Sequence, residues 1–297
     1  MEEISLDQGI IKELGYDIQT TESGYAIDTK ITKNGKVITE IEIPSSFTAY
    51  GETYKITKIA PRTFEGCRLL ESIIIPDTVK IIGNEAFKHC LSLKNITIPD
   101  GVEIIGSYVF EACKSLKTIT IPKSVKAWIV WAGNFDGLNF YGCKSLENVT
   151  FLTNKIAFLN QNNDYKRIPG VLARGAFSFR NFGDDSTPDE SLLKSINIPN
   201  GIEIIQWQAF RNCPSLEKVI IPESVRIIGT HAFENKGSLK MLEIPSSVTE
   251  IANNAFDNVD MVYYNGPATG RPWGAKEVVN NKFYYNKKLA ELRQQNQ

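Results

Sequence analysis

The chain has 297 residues, of which 42% are hydrophobic and 23% are charged, a composition typical of an ordinary globular protein. Its formal net charge of −1 argues against nucleic acid as a partner, because phosphate binding needs a surplus of cations. No apolar run approaches the roughly 20 residues that span a bilayer, so we expect no membrane insertion.

The N-terminal 35 residues lie outside the pattern that governs the rest of the chain and are predicted to form a cap. The segment SLDQ at residues 5–8 matches a capping box that begins a short helix, and Gly15 follows as its stop. Asn34 and Gly35 stand between two alternating segments, which is the strongest short signal of a β-hairpin. We therefore predict that residues 1–35 form a helix and a hairpin that cover an open sheet edge.

Residues 36–266 repeat with a period of 23 residues, and this repeat predicts the architecture. The template is L-x-x-I-x-I-P-x-x-V-x-x-I-G-x-x-A-F-x-x-C-x-S, as in ESIIIPDTVKIIGNEAFKHCLSL followed by KNITIPDGVEIIGSYVFEACKSL. Such a period marks a solenoid, in which each unit stacks only on its neighbours. A lone unit cannot fold, because burying its apolar side chains contributes about 14 kcal/mol while ordering its backbone costs on the order of 23–46 kcal/mol.

Each unit is predicted to contribute one strand that follows its leucine. These leucines are Leu70, Leu93, Leu116, Leu146, Leu193, Leu216 and Leu239. Residues 38–44 already match the repeat, and a shortened last strand runs through residues 261–264, which gives nine recognisable strands. A degenerate tenth strand would fit near Phe158.

Three insertions interrupt the period, near residues 48–56, 126–138 and 152–191. The first is predicted to form a small hairpin. In the last, Leu152 stands where a proline is expected, and Pro199 follows 47 residues later instead of 23. Two explanations remain open, namely one degenerate unit or a pair of long insertions before and after the intervening phenylalanine.

Residues 267–297 break the repeat again with glycine, proline and Trp273. We predict that they form a C-terminal cap and a tail. The tail, from Lys287 onward, is polar and is expected to be helical or frayed.

The five cysteines each lie three residues after a repeat phenylalanine. They are Cys67, Cys90, Cys113, Cys143 and Cys213. Side chains stacked in register point the same way, which is poor geometry for a disulfide. With two histidines in the chain and no C-x-x-C pair, a zinc site is not supported. We therefore predict buried structural thiols, and we expect no metal and no cofactor.

The run I-P-x-x-V-x-x-I-G-x-x-A-F-x-x-C-x-S-L resembles the BspA-like leucine-rich repeat family, the 23-residue type of bacterial and protist surface antigens. The resemblance extends to VYYNGPATGRPWGAK, which is similar to a terminal segment common in the family. It implies a leucine-rich repeat solenoid, a right-handed superhelix with a parallel β-sheet on one face and short turns or helical segments on the other, capped at both ends. It also implies binding of other proteins or surfaces, since many relatives are displayed on the cell surface and associated with adhesion.

The first candidate site is the exposed face of the predicted sheet, where residues flanking the middle isoleucine of each strand point away from the core. The central ones are small and polar: Asn95, Thr97, Thr118, Thr120, Asn148, Thr150, Ser195 and Asn197. Such residues also suit any solvated strand, so a structural explanation stays open. As a binding face, they would form hydrogen bonds with a protein or a glycan, although a sugar ring would find no aromatic partner there.

The second candidate site consists of aromatic residues in the insertions and one repeat. They are Trp128, Trp131, Phe135, Tyr141, Tyr165, Phe179, Phe182 and Trp207. Exposed tryptophan and tyrosine are favoured anchors of protein interfaces. The alternative is a satellite core in which these side chains hold the long loops down.

No catalytic motif stands out: G-x-S-x-G, a phosphate loop and H-E-x-x-H are all missing, so we expect no enzyme. We predict a non-enzymatic scaffold for protein–protein recognition whose partner is a host-matrix or cell-surface protein. A carbohydrate-binding module and a passive structural spacer are the alternatives. The resemblance implies a secreted or cell-surface location; the start MEEISLDQGI has no secretory signal, which predicts a cytoplasmic location if the chain is complete.

Overall fold

The computed structural model describes residues 2–23, 26–130, 138–153, 155–160, 166–168, 170–177, 191–234 and 238–295. Within them the chain forms 25 β-strands and two α-helices. The elements before the regular repeats are β1 (Glu2–Leu6), α1 (Gln8–Glu13), β2 (Asp17–Ser23), β3 (Ala26–Lys33), β4 (Lys36–Val37), β5 (Glu40–Glu42), β6 (Ser46–Ala49) and β7 (Glu52–Ile59).

The strands of the repeats alternate between two sheets, except that β15, β16 and β17 follow one another outside the first of them. They are β8 (Ser72–Ile74), β9 (Ile81–Ile82), β10 (Asn95–Ile96), β11 (Ile104–Ile105), β12 (Thr118–Ile121), β13 (Ala127–Val130), β14 (Asn148–Phe151), β15 (Ala157–Asn160), β16 (Lys166–Ile168), β17 (Gly170–Leu172), β18 (Ser195–Asn197), β19 (Ile202–Ile205), β20 (Lys218–Ile220), β21 (Ile227–Ile228), β22 (Met241–Ile244), β23 (Glu250–Ile251) and β24 (Met261–Tyr264). The chain ends with β25 (Glu277–Val279) and α2 (Lys282–Gln295).

The first strand of each unit joins a parallel sheet, which we call the front sheet. Its strands pair in the order β5-β8-β10, then β12-β14-β18-β20, then β22-β24-β25, and the three runs follow one another side by side. The strand residues 23 apart lie opposite each other, as Asn95 does with Ser72. The leucine-rich repeat solenoid predicted from the 23-residue period is therefore present.

A second sheet of short strands, which the repeat did not predict, lies after the proline turn of each unit. Its main runs are β1-β7-β9-β11-β13-β15 and β17-β19-β21-β23, and their pairings are parallel. Pairs of isoleucine, as at Ile81 and Ile82, favour extended backbone, and stacking lets them form hydrogen bonds with the same pair in the next unit. The rest of each unit consists of turns, and the described residues between α1 and α2 contain no helix.

The N-terminal segment differs from its prediction in the start of its helix and in an additional strand, β2, which pairs antiparallel with β3. Helix α1 begins after Asp7, whose carboxylate accepts a hydrogen bond from the Ile10 amide at 2.9 Å. The predicted cap Ser5 instead lies in β1, which pairs with β7 and so extends the second sheet. The hairpins are confirmed: β3 and β4 are antiparallel around Asn34 and Gly35, and β6 and β7 are antiparallel in the first insertion.

The long interval between Leu152 and Pro199 is a single unit with two insertions. Strand β14 pairs directly with β18, with Asn148 opposite Ser195, so the front sheet has no extra strand. Phe158 lies in β15, which belongs to the second sheet and pairs antiparallel with β16. The degenerate tenth front strand is therefore wrong, and the alternative of insertions before and after Phe177 is confirmed.

A column of stacked phenylalanine rings runs through the core, one ring from each unit. Neighbouring centroids are 5.0–6.2 Å apart along Phe64, Phe87, Phe110, Phe140, Phe177, Phe210, Phe233 and Phe256. Seven of these eight phenylalanine amides donate to a carbonyl of the following unit, as Phe210 does to Ala232 at 2.8 Å. The spine formed by these rings holds each unit in register with the next.

The cysteines lie beside this spine, are buried and form no disulfide, which confirms their prediction as structural thiols. Four of the five thiols contact the carbonyl of a phenylalanine in an earlier unit, for example Cys113 Sγ with Phe87 O at 3.2 Å and Cys143 Sγ with Phe110 O at 3.0 Å. Burial raises the pKa of Cys143 to about 12, so its thiol stays protonated at neutral pH. A thiol is small enough for this position and donates a weak hydrogen bond.

Each turn of the spine contains left-handed backbone, although the residues there are often not glycine. Positive φ angles recur two residues before and two residues after the repeat phenylalanine, as at Tyr108 (55°) and Ala112 (58°) around Phe110. In the next unit Gly142 takes the second position with φ 80°. Left-handed backbone costs an L-residue roughly 1–2 kcal/mol, so the stacking of the units must hold Ala112 in this conformation.

The end of the phenylalanine spine is covered by Trp273, whose ring meets that of Phe256 edge-on at 6.3 Å. Its indole donates to the Thr269 carbonyl at 2.7 Å. Tyr264, fully buried, accepts a hydrogen bond from the Ala268 amide at 2.8 Å. The domain boundaries at residues 35 and 266 stay predictions. Strand β25 pairs with β24 and so extends the front sheet past residue 266.

Because burial raises the pKa of Cys143 and Cys213 to about 12, we expect the thiols of the folded protein to be unreactive at pH 8. Ellman's reagent should release no thiolate rapidly from the native chain and five equivalents after unfolding in guanidinium. One fast equivalent in the native state would contradict the burial of the cysteine column.

Replacing Ala112 by glycine should stabilise the protein by about 0.5–1 kcal/mol, because glycine adopts positive φ without strain. Urea denaturation followed by far-UV circular dichroism would measure the change. The matched control is Ala86→Gly, at a buried position without positive φ, which should destabilise the protein by about 1 kcal/mol. Equal effects of the two substitutions would show that backbone strain at residue 112 is negligible.

Candidate binding surface

The eight small polar residues predicted on the sheet face form a grid of two columns. One column contains Asn95, Thr118, Asn148 and Ser195, and the other contains Thr97, Thr120, Thr150 and Asn197. Ser195 is half-buried and the other seven are exposed. Within the described part of the chain, none of the eight side chains forms a hydrogen bond with another protein group. The grid is thus free to bind a partner, although binding by these residues stays a prediction.

Ion pairs line the front sheet beside the first column, at the residue that follows each unit's leucine. Lys94 pairs with Glu71 at 2.6 Å, and Lys194 pairs with Glu147 at 2.7 Å. The hydrogen bond from Lys194 lowers the pKa of the Glu147 carboxyl and raises the pKa of the lysine. These exposed pairs join neighbouring units and mark one border of the grid.

A groove with a volume of about 800 Å³ opens at the other border, where the strands end at the proline turns. The hydroxyls of Thr118 and Thr120 lie on its sheet side. Asp77 and Asp100 lie at the turns, and Leu152 provides an exposed aliphatic wall. The groove therefore combines hydroxyls, carboxylates and an apolar contact at one end of the grid.

Helix α2 covers the C-terminal end of the front sheet. Tyr285 is buried, with its ring 5.6 Å from that of Tyr263, an outward residue of β24. Lys282 forms an ion pair with Glu243 and lies 4.6 Å from the centre of the Tyr263 ring. The sequence predicted a polar tail but not this contact. The available signal was the apolar Met261 and the aromatic Tyr263 at positions where other units have threonine or asparagine.

The aromatic candidates do not form the predicted cluster within the described residues. The prediction of Trp128 as an exposed anchor is wrong. Trp128 lies in β13, is 1% exposed and packs edge-on against Phe140 with a centroid distance of 6.3 Å, so it is a core residue. It is buried because β13 directs it into the core of the solenoid, opposite Phe158 of β15. The candidates that lie outside the described residues are Trp131, Phe135, Tyr165, Phe179 and Phe182.

Two aromatic candidates lie at the surface. Tyr141 is half-buried, and its carbonyl accepts a hydrogen bond from the Ala112 amide at 2.7 Å. Trp207 is 38% exposed, and the Arg174 guanidinium lies over its ring at 4.1 Å from the centroid. Both residues lie in the turns next to a spine phenylalanine and not on the front sheet. The structure therefore separates them from the polar grid.

Neither a metal-binding cluster nor a membrane-spanning helix occurs in the described residues. No group of three or more histidine, cysteine, aspartate or glutamate side chains is placed to hold a metal ion there. No helix in the same part of the chain is both long and apolar enough to cross a membrane.

A family model described as "BspA type Leucine rich repeat region" matches six copies over residues 57–163 and 184–293, more than two thirds of the sequence. The chain belongs to the BspA-type leucine-rich repeat family. The ranges that the family model matches contain the 23-residue units that form the front sheet. No curated protein matches the sequence of this chain.

Solved structures are similar in fold to this BspA-type chain. A leucine-rich repeat protein from Bacteroides ovatus ATCC 8483 is 24% identical with a TM-score of 0.51, covering 89% of this chain and 69% of that one. A leucine-rich repeat protein from T. pallidum is 23% identical with a TM-score of 0.47, covering 74% and 86%. A leucine rich cell surface protein from Faecalibacterium prausnitzii A2-165 is 20% identical with a TM-score of 0.33, covering 90% and 97%.

The reassignment of Trp128 to the core can be tested by truncation. Trp128→Ala should lower the free energy of unfolding by about 3–5 kcal/mol, because it leaves a large cavity next to Phe140. Trp207→Ala, the surface control, should cost about 1 kcal/mol or less. Urea denaturation would compare the two variants, and similar costs would refute the assignment.

Proposed function

We propose that this chain is a non-enzymatic repeat scaffold that binds another protein through the polar grid of its front sheet. The observation that carries the proposal is that the grid is exposed while none of its side chains forms a hydrogen bond within the described chain. Hydrogen-bonding groups in a regular array suit a polypeptide partner, whose backbone offers donors and acceptors at regular spacing.

The size of the front sheet supports a protein as partner. Ten parallel strands at about 4.8 Å each give a face roughly 45 Å long, the scale of a standard protein–protein interface. The grid occupies the middle of this face, between the N-terminal strands and the part covered by α2. The family resemblance supports adhesion at a cell surface, with a host-matrix or cell-surface protein as the ligand.

The alternatives are less well supported for the front face. On the described front sheet the one outward aromatic side chain, Tyr263, is covered by Tyr285, so a sugar ring has no exposed stacking partner there. The burial of Trp128 favours the passive-spacer alternative for the second insertion, near residues 126–138. That result moves the proposed site from the insertions to the grid.

Binding of purified protein to arrays of immobilised matrix proteins and glycans tests the proposal. The variant Thr120→Arg/Thr150→Arg places two bulky cations on adjacent strands of the grid, and we expect it to reduce binding at least about tenfold through clashes and lost hydrogen bonds. The control Thr230→Arg/Thr249→Arg adds the same side chains at exposed positions outside the front sheet and should bind normally.

Circular dichroism and the melting temperature would confirm that both double variants are folded. Binding of the grid variant at the wild-type level would place the site elsewhere. A wild-type chain that captures neither protein nor glycan would favour the spacer function instead.

A further inference from the structure

The groove at the end of the grid contains two carboxylates stacked in adjacent units. Asp77 and Asp100 are 23 residues apart and follow equivalent prolines, so they lie about 4.8 Å apart along the stack. Their turns touch: a Cβ atom on Gly101 would lie 2.2 Å from the Asp77 carbonyl oxygen. Glycine at residue 101 therefore allows the two acidic turns to approach each other.

These two carboxylates differ from acids elsewhere on the solenoid, which form ion pairs with a lysine of the next unit, although the turn after Asp100 carries Lys123 at the equivalent position. Neighbouring units place a lysine beside an acid at Glu71 and Lys94, and again at Glu103 and Lys126, where the distances are 2.6 Å and 2.9 Å. Within the described residues, no ion pair or side-chain hydrogen bond involves Asp77 or Asp100. The groove lining also contains no lysine and no arginine. Two like charges held side by side favour a cationic occupant.

The apolar wall of the groove depends on a departure from the repeat. Leu152 takes the place of the proline found in the other units, and its amide donates to the Ile121 carbonyl at 2.9 Å. Its side chain is 46% exposed, whereas Pro99 and Pro122 at the same position are buried. An occupant of the groove would thus meet an aliphatic contact next to the carboxylates.

Helix α2 shows how the same sheet face accepts a segment of this composition. Its Lys282 pairs with the outward Glu243, while its Tyr285 is buried on the outward Tyr263. A cation beside an acid and an aromatic ring on an apolar neighbour are together sufficient to hold a segment on this face. The groove offers the same two features, which here have no partner in the described chain.

We propose that the groove binds a basic segment of a partner protein, in which lysine or arginine lies next to a large apolar side chain. The cations of the segment meet Asp77 and Asp100, its apolar side chain contacts Leu152, and its backbone forms hydrogen bonds with Thr118 and Thr120. This assignment rests on the proposed protein-binding function of the grid and specifies the chemistry of the partner.

Fluorescence anisotropy with two labelled nonapeptides tests this assignment on the full chain. One peptide alternates lysine with tyrosine and leucine, and its twin has glutamate in place of lysine. We expect the basic peptide to bind, with an affinity that falls as salt is raised, and the acidic twin not to bind. Equal binding of both peptides, or of neither, would overturn the proposal.

Variants then locate the peptide. Asp77→Asn/Asp100→Asn should weaken binding of the basic peptide about fivefold, as expected for two exposed charge contacts. Glu223→Gln is the matched control, because it removes an acid at the equivalent turn position far from the groove, and it should bind as the wild type does. A loss with Glu223→Gln or Glu243→Gln of the same size would overturn the assignment to the groove.

Two further results separate this proposal from its alternatives. Sedimentation velocity that shows self-association abolished by Asp77→Asn/Asp100→Asn would make a second copy of the chain the occupant and overturn the proposal. Array ligands blocked by Thr120→Arg/Thr150→Arg but unaffected by Asp77→Asn/Asp100→Asn would leave the protein-binding function standing and reject the basic segment.

Discussion

In nearly every unit the amide of the repeat phenylalanine donates to the next unit, and along the whole spine each phenylalanine ring stacks on its neighbour. This contact repeats along the core. In the regular units, fewer than 20 residues separate each strand from the phenylalanine of the same unit, so stacking of the rings also sets the register of both sheets. The free energy of the fold is thus shared between units and not contained in any one of them. The thiol column and the left-handed turns are local adjustments to the same contact.

Because the spine sets the register, the units tolerate very different lengths. Phe110 and Phe140 are 30 residues apart and Phe140 and Phe177 are 37 apart, yet their ring centroids stay within 5.6–6.2 Å. The extra chain that follows β13 and β15 leaves from the ends of second-sheet strands, where added residues cost little loop entropy. The polar grid consequently continues without a break across the two irregular units, with Thr118, Asn148 and Ser195 in one column.

Sequence predicts the periodic part of this structure and fails where position alone decides. The prolines, phenylalanines and cysteines recur with the period, so the solenoid, the outward grid and the buried thiols followed from spacing. The burial of Trp128 could not be predicted, because the sequence of an insertion does not reveal whether β13 directs this side chain inward or outward. Likewise, the contact of Tyr285 with Tyr263 joins residues of two different elements, and no repeat position links them. The groove could not be predicted either, because it depends both on the replacement of a proline by Leu152 and on the contact between two acidic turns.

Trp273 has an evolutionary consequence. A phenylalanine ring offers its face to the next unit, but Trp273 meets Phe256 edge-on and closes that end with its own hydrogen bond to Thr269. A duplicated unit placed after Trp273 would find no ring face on which to stack. Added units can therefore lengthen the spine only between Phe64 and Phe256, where each ring offers its face to a neighbour.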